Sequence, residues 1–536
     1  VRRFFHPLNS PRSSGGDPQL SGTPPERHRK PPPRVRRALR RGALSRLVPC
    51  LAVPVLLAAS PGPLAGQELA ADKLYFPPCP AFEDEYAFDC YHDYAEVTAF
   101  LEAAAERHPE LTTLESMGTS YQGRELWVLT ITDPATGRPE EKPALWVDGG
   151  IDSDEVVATE AALGVVHRLL TSRDEPRIRE LLRTRTFYVA PNVMPDASEL
   201  HHRSPIRPRD TTLRPWDDDG DGRLDEDPPE DLDGDGQALR MRRRDPLGDW
   251  VLDEDDPRLL RERRAGDEGP FYALYLEGID NDGDGRYQED RHGGIDPNRN
   301  YPGNWSGEQG GSGPFAGSEA GIRAVYDFVL AHPNVAASQH FHSTGGVILR
   351  PPSVPDLELP GPDRELFVDL SRLGLEVTGY DLATSVYDWN WPPGSGNRKG
   401  SQVWRDAEGE LPEEVRRNVE FALMQAEHTP LLRIGEVEVE DLSGGIYRIT
   451  ATIENVGYQP TELAVRREGE RAVPVRALLE GGEVLVPEGR SHELGTLGGH
   501  DRAEASRVVR GSAGEGVEVR AWHPKAGRTW EEVVLP

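Results

Sequence analysis

From Tyr91 onward the chain alternates two hydrophobic rhythms. "YHDYAEVTAFLEAAAER" and "EVVATEAALGVVHRLL" place apolar residues three and four apart, which predicts helices. "LWVLTIT", "ALWVDGG" and "RTFYVAPNV" are apolar runs of strand length. This alternation predicts an α/β fold, a β-sheet covered by helices on both faces, with ligands collecting at the carboxyl ends of the strands. Between about 203 and 291 both rhythms fail and Asp, Gly, Pro and Arg dominate. Periodicity returns at "AGIRAVYDFVLAHP" and "VAASQHFHSTGGVILRPP" and continues through "EEVRRNVEFALMQAEHT". After about 432 the pattern becomes short alternating runs punctuated by Gly, such as "IGEVEVEDLSGGIYRITATIENVGYQ". That texture predicts a C-terminal β-sandwich domain.

At 536 residues the chain exceeds one average domain. A net charge of -31 argues against a nucleic-acid partner and favours solubility or cation binding. The charge is uneven. Residues 1–66 hold 12 Lys+Arg against Asp17 and Glu26, a balance of +10, leaving -41 on the remainder. Within that basic front, an Arg-rich segment, a short apolar run ("LAVPVLLAA") and small residues ending near Ala65-Gly66 have the layout of a secretory signal peptide. The apolar run is too short to span a bilayer stably, so no membrane span is expected after cleavage. The Pro/Arg-rich stretch before Arg34 is long for such a leader. The expected organisation is a leader at 1–66, an extension at 67–90, an α/β domain at 91–432 with an insert at about 203–291, and the β-domain at 433–536. Export to the periplasm or the medium makes a local disulfide the natural state of Cys79 and Cys90, the two cysteines beyond the leader, with free thiols as the alternative.

The strand "ALWVDGG" runs through a Gly-Gly turn into "IDSDEVV", where Asp152 and Glu155 stand three residues apart at a helix start. Alone, such a pair is explained by the helix macrodipole, which favours carboxylates there. Other stretches change that reading. "FHSTGGVILRP" offers His342, "DPNRNYPGNW" offers Asn298 and Arg299, and "MPDAS" precedes them. "GYDLATSVYDWNWPPGSGNRKGSQVWRD" sets Tyr380 eight residues before Asp388-Trp389, with Gln402 fourteen residues after Asp388.

In order and spacing these stretches resemble the zinc carboxypeptidases, the carboxypeptidase A-like metallopeptidases, over roughly residues 91–432. The resemblance implies a carboxypeptidase-like mixed β-sheet covered by helices and a zinc site formed by Asp152, Glu155 and His342, with Asp152 standing where the family has His. It implies a substrate-carboxylate clamp from Asn298 and Arg299, since a guanidinium binds a carboxylate through two parallel hydrogen bonds. Tyr380 matches the residue that closes over the substrate, and Tyr387 occupies the position that sets side-chain preference. Arg240 and Arg242 are candidates for the oxyanion-stabilising Arg, with solvated surface charge as the alternative. Gln402 falls where the family has its catalytic Glu. Asp152 still suits a three-ligand open zinc site, although two carboxylates tilt the site toward harder metals. Gln402 is the graver departure, because an amide cannot accept and return a proton at neutral pH. General acid-base catalysis is worth about a hundred to ten thousandfold. Asp406, Glu408 and Glu410 follow on the chain without the expected spacing.

The insert carries three cassettes, "DDDGDG", "DLDGDG" and "DNDGDG". Each offers oxygens at the spacing that opens a calcium loop: Asp217, Asp219 and Asp221; Asp231, Asp233 and Asp235; Asp280, Asp282 and Asp284. None has Glu at position twelve, and Asp225, Asp227, Glu289 and Asp290 are candidates to complete a site. Calcium would rigidify a segment with little apolar surface to bury. Three functional readings follow: a working metallocarboxypeptidase acting on peptide C-termini, a pseudoenzyme that binds C-termini without cutting, and a calcium-dependent surface scaffold.

Overall fold

The computed structural model describes residues 73, 76–204, 211–234, 238–256, 258–287, 290, 293–343, 346–351, 358–385, 410–487 and 489–536. The leader, Asp235, Glu289, Tyr387, Asp388, Trp389, Gln402, Asp406 and Glu408 lie outside the described residues.

The α/β part begins with α1 (Tyr94–Arg107), whose start is fixed by a capping box between Asp93 and Glu96. There follow β1 (Thr112–Thr119), β2 (Glu125–Ile131), β3 (Ala144–Asp148), α2 (Val156–Thr171), α3 (Pro176–Thr184), β4 (Thr186–Ala190) and α4 (Pro195–Arg203). The insert folds as β5 (Arg240–Arg244), β6 (Trp250–Leu252), β7 (Leu260–Glu262) and β8 (Phe271–Leu276), a four-stranded antiparallel sheet in the order β5-β8-β6-β7. The chain then forms α5 (Ala320–Ala331), β9 (Val335–His340), β10 (Val347–Arg350), α6 (Gly361–Thr378), β11 (Leu382–Ser385) and α7 (Glu410–His428).

The main sheet runs β1-β2-β4-β3-β9. It is mixed: β1/β2 and β2/β4 are antiparallel, while β3 is parallel to both β4 and β9. Side chains alternate faces along a strand, and β3 is buried on both. Leu145 and Val147 pack with Phe100, Leu163, Val166 and Leu423 from α1, α2 and α7. Ala144 and Trp146 pack on the other face with Ile322 and Val325 from α5. The central strands therefore end at a fixed point between two helical layers.

The C-terminal part comprises β12 (Leu432–Asp441), β13 (Ile446–Asn455), α8 (Ala464–Glu468), β14 (Val475–Glu480), β15 (Glu483–Val486), β16 (Ser491–Gly495), β17 (Arg502–Arg510), β18 (Gly516–His523) and β19 (Gly527–Val534). Two four-stranded antiparallel sheets, β12-β13-β17-β15 and β16-β14-β18-β19, contribute to one hydrophobic cluster that includes Ile449, Ile453, Val475, Val509 and Val519.

Candidate metal centre

The carboxyl end of β3 leads into a turn that only glycine fits. A Cβ on Gly149 would lie 2.4 Å from the Ala158 carbonyl oxygen, and Gly150 has φ +65°. This close approach puts Asp152 and Glu155 immediately before α2. Glu155 is the N-cap residue, yet its side chain makes no capping hydrogen bond. It points instead to His342, whose Nδ1 lies 2.7 Å from Glu155 Oε2 and 3.1 Å from Asp152 Oδ2. His342 is delivered by the parallel neighbour β9, where Asp148 pairs with His340 and Phe341 N–H donates to the Asp148 carbonyl.

Both carboxylates are buried, and Asp152 Oδ1 has no hydrogen-bond partner. A helix start serving only the macrodipole would leave its carboxylates in water, so burial decides against that reading here. The donor atoms of Asp152, Glu155 and His342 all lie within 4.8 Å of one another. Burial pulls the His342 ring down, but hydrogen bonds to Asp152 and Glu155 outweigh it and push it up to about 10. Two converging carboxylates, one unmatched oxygen and an imidazole form a donor set that fits a divalent cation with a position left open.

Asn298 and Arg299 sit on a 3-10 turn, Pro297–Arg299, whose first N–H groups are ordered by Asp296: its side chain accepts from Asn298 N–H at 2.8 Å. Asn298 Nδ2 reaches Asp152 Oδ2 at 3.5 Å, and Arg299 remains partly exposed. Asp152, Glu155, His342, Asn298, Arg299 and Tyr380 line one cavity of about 1120 Å³.

The chain matches Peptidase_M14, "Zinc carboxypeptidase", over residues 97–244 and 269–411, more than half of its length. The chain belongs to the zinc carboxypeptidase family. Residues 431–534 match a domain of unknown function, DUF8731. Carboxypeptidase B of Astacus astacus is 32% identical over 106 residues, covering 20% of this chain and 33% of that protein. Carboxypeptidase A1 of Mus musculus is 22% identical over 338 residues, covering 58% and 62%. The chain thus spans between a third and three-fifths of the length of these two relatives. Among solved structures, carboxypeptidase A from Helicoverpa armigera is similar at TM-score 0.42 and 17% identity, covering 65% of this chain and 76% of that one.

Not every residue singled out from the sequence of this zinc carboxypeptidase family member reaches the cavity. Arg242 lies exposed on β5 with its guanidinium 5.2 Å from the Tyr272 ring centre, and neither it nor Arg240 is among the cavity's lining residues. Tyr380 lies beside α7, where its hydroxyl hydrogen-bonds Glu414 and accepts from Asn418 Nδ2 at 2.9 Å. Burial and the Glu414 charge raise its phenol pKa. Cys79 and Cys90 are joined in a disulfide.

Among the lining residues that escaped the sequence reading are Tyr301 and His340. Tyr301, in "NRNY", has a buried hydroxyl without a partner, and burial together with Asp148 and Asp152 raises its pKa well above the usual value. His340 holds Nδ1 2.9 Å from both Asp148 oxygens, while Asp148 also accepts from Trp146 Nε1 at 2.7 Å. The spacing "HFH" was the available signal for His340, since alternate strand residues share a face.

Proposed function

We propose that this protein is an exported, metal-dependent receptor for peptide C-termini in which hydrolysis is slow or absent. The observation that carries the reading is the common cavity: the triad Asp152, Glu155 and His342 shares it with Asn298 and Arg299. When bound, a zinc ion supplies Lewis acidity that activates water and polarises a carbonyl. The chain's own residues do the rest. Arg299 and Asn298 grip the terminal carboxylate through charge-assisted hydrogen bonds and so fix which peptide bond faces the triad. Tyr301 offers a hydroxyl donor inside the same cavity. Gln402 can hold water by hydrogen bonds, but its amide cannot take the proton away or hand it to a leaving amine. Export rests on the leader-like residues 1–66, and calcium in the Asp-Gly cassettes on their ligand spacing.

The test joins metal analysis of the full chain to peptide binding and hydrolysis assays, on the natural sequence and on Asp152→His with Gln402→Glu. The expected outcome is zinc uptake, binding that needs a free C-terminal carboxylate, and turnover that rises at least a hundredfold in the double variant. Rapid hydrolysis by the natural chain would leave the working carboxypeptidase standing and sink the receptor. Loss of both metal and peptide binding would favour the scaffold.

A further inference from the structure

The first and third Asp-Gly cassettes are local copies of each other. Gly220 and Gly283 donate N–H to Asp217 and Asp280 at 2.7 Å, and Gly222 and Gly285 donate to the same two residues at 3.1 Å. Their sixth residues, Gly222 and Gly285, both have φ +94°. The two cassettes, about sixty residues apart in sequence, are also brought together. Among the described residues, groups of carboxylates with oxygens within 4.8 Å of one another include Asp217–Asp219–Asp221, Asp219–Glu226–Asp290, Asp221–Glu226–Asp282 and Asp227–Asp280–Asp282. The groups share members, and Glu226 belongs to one with each cassette.

A crowd of acids on a protein of net charge -31 would by itself mean little. Two of its members are withdrawn from the surface. Asp227 and Asp290 are both 0% exposed, and one oxygen of each, Oδ2, has no hydrogen-bond partner; the same holds for the buried Glu226 Oε2. The other oxygens are already used: Asp227 Oδ1 accepts from Asn281 N–H at 2.6 Å and Asp290 Oδ1 from Asp218 N–H at 3.2 Å. Asp227 and Asp290 are therefore each fixed by the backbone through one oxygen, and each keeps a second, unmatched oxygen beside the other carboxylates. A hard cation that takes six to eight flexible oxygen ligands answers all of these features, and calcium fits better than magnesium, which demands a rigid octahedron.

The cluster is stitched to the turn that carries the clamp. Asp225 accepts N–H bonds from Trp216 at 3.0 Å and Gly293 at 3.2 Å, and Thr212 N–H donates to the Ile295 carbonyl at 2.8 Å. A Cβ on Gly294 would fall 2.2 Å from Asp218 Oδ1, so the first cassette lies directly against the segment leading to Asn298. We propose that the first and third cassettes form one calcium centre of at least two ions bridged by Glu226, and that this centre holds Asn298 and Arg299 in place. The second half of the proposal rests on the peptide-clamp reading of those two residues.

The test uses the full chain, freed of calcium with a selective chelator in a zinc-buffered solution. Calorimetric titration with calcium alone, and with terbium sensitised by Trp216 next to the first cassette, measures affinity and stoichiometry. Two or more ions per chain are expected. Glu226→Gln should remove at least one ion and weaken the remainder at least tenfold, while Asp255→Asn, an exposed acid elsewhere in the insert, should change neither. Without calcium, Glu226→Gln should melt no lower than the parent, because it removes one charge from the repelling cluster. A variant that unfolds there would reveal an ordinary structural contact and overturn the proposal, as would no calcium uptake, or unchanged stoichiometry and affinity in Glu226→Gln. With zinc retained, removing calcium should weaken binding of a short free-carboxylate peptide at least tenfold. Calcium uptake with unchanged peptide affinity would overturn the coupling. Calcium uptake with no peptide binding under any condition would instead defeat the receptor reading and leave the calcium centre intact.

Discussion

His523 shows how one buried residue ties stability to pH. It is fully buried at the end of β18, where Nε2–H donates to the Val473 carbonyl at 3.1 Å and Nδ1 accepts from Lys525 N–H at 3.2 Å. Both ring nitrogens are used in the neutral form, and burial pushes the pKa down from 6.5 to about 4, although Glu462 partly opposes the shift. Between those values the unfolded chain binds a proton that the folded chain refuses. Stability from this residue is thus complete above pH 6.5 and lost as pH falls toward 4, with a total on the order of 3 kcal/mol. Urea unfolding of the parent and of His523→Gln between pH 7 and 4 checks this: the stability difference between them should shrink with acidification, and a constant difference would refute it. The three donors that converge in the cavity were legible at this same scale because Asp152, Glu155 and His342 are carried by local motifs. His340 and Tyr301 were not, because their roles depend on partners such as Asp148 that lie far away in sequence.

Among elements, the decisive contact is α2 against α7, since α2 begins at the residue after Glu155. Gly164 sits at this crossing, and a Cβ there would lie 2.6 Å from Val415 Cγ1 and 2.8 Å from Val419 Cγ2. Valine side chains in helices are nearly fixed in one rotamer, so the neighbours cannot swing away. Gly164→Ala gains about 1 kcal/mol of helix propensity but pays about 1–3 kcal/mol for overpacking, a net loss of about 1 kcal/mol. Val415→Ala alone leaves a cavity and also destabilises. Combined, the two changes should cost about 1 kcal/mol less than their sum, measured by urea unfolding; strict additivity would show that the crossing tolerates a methyl group. The helices could be read from the sequence because their period matched a buried face, and the central strands because burial on both faces left unbroken apolar runs. The insert sheet could not. β5 reads "RMRRR", exposes its arginines and is held by backbone pairing to β8 and by contacts such as Arg243 over Tyr275, so it carries no apolar rhythm. Nor does any sequence period announce that the first and third cassettes meet.

Across the whole molecule the α/β part and the C-terminal sheets share the cavity, because Gln459, Glu462 and Lys525 line it together with the triad. Among the described residues no helix is long and apolar enough to cross a membrane. The joint between the two parts is polar. Tyr458 donates to Asp369 at 2.9 Å, Arg528 to Glu141 at 2.9 Å, and Gln459 N–H to the His428 carbonyl at 3.0 Å. A deeply buried member is Asp363 on α6, 2% exposed, whose two oxygens accept the N–H groups of Ala464 and Val465 at 2.7 and 2.8 Å. These are the first donors of α8, which have no partner within that helix. Asp363→Ala strands both donors and should cost about 2 kcal/mol at the joint, because hydrogen bonds to a charged group are worth about 1.5–3 kcal/mol. Asp363→Asn keeps one acceptor and should cost about half as much. Native-state hydrogen exchange localises the effect: amides of α6 and α8 should exchange about thirtyfold faster in Asp363→Ala, while those of β13, paired on both sides within its own sheet, keep their protection. Equal acceleration in β13 would mean that the C-terminal sheets cannot hold together without this joint, and unchanged exchange in α8 would mean that Asp363 does not secure it.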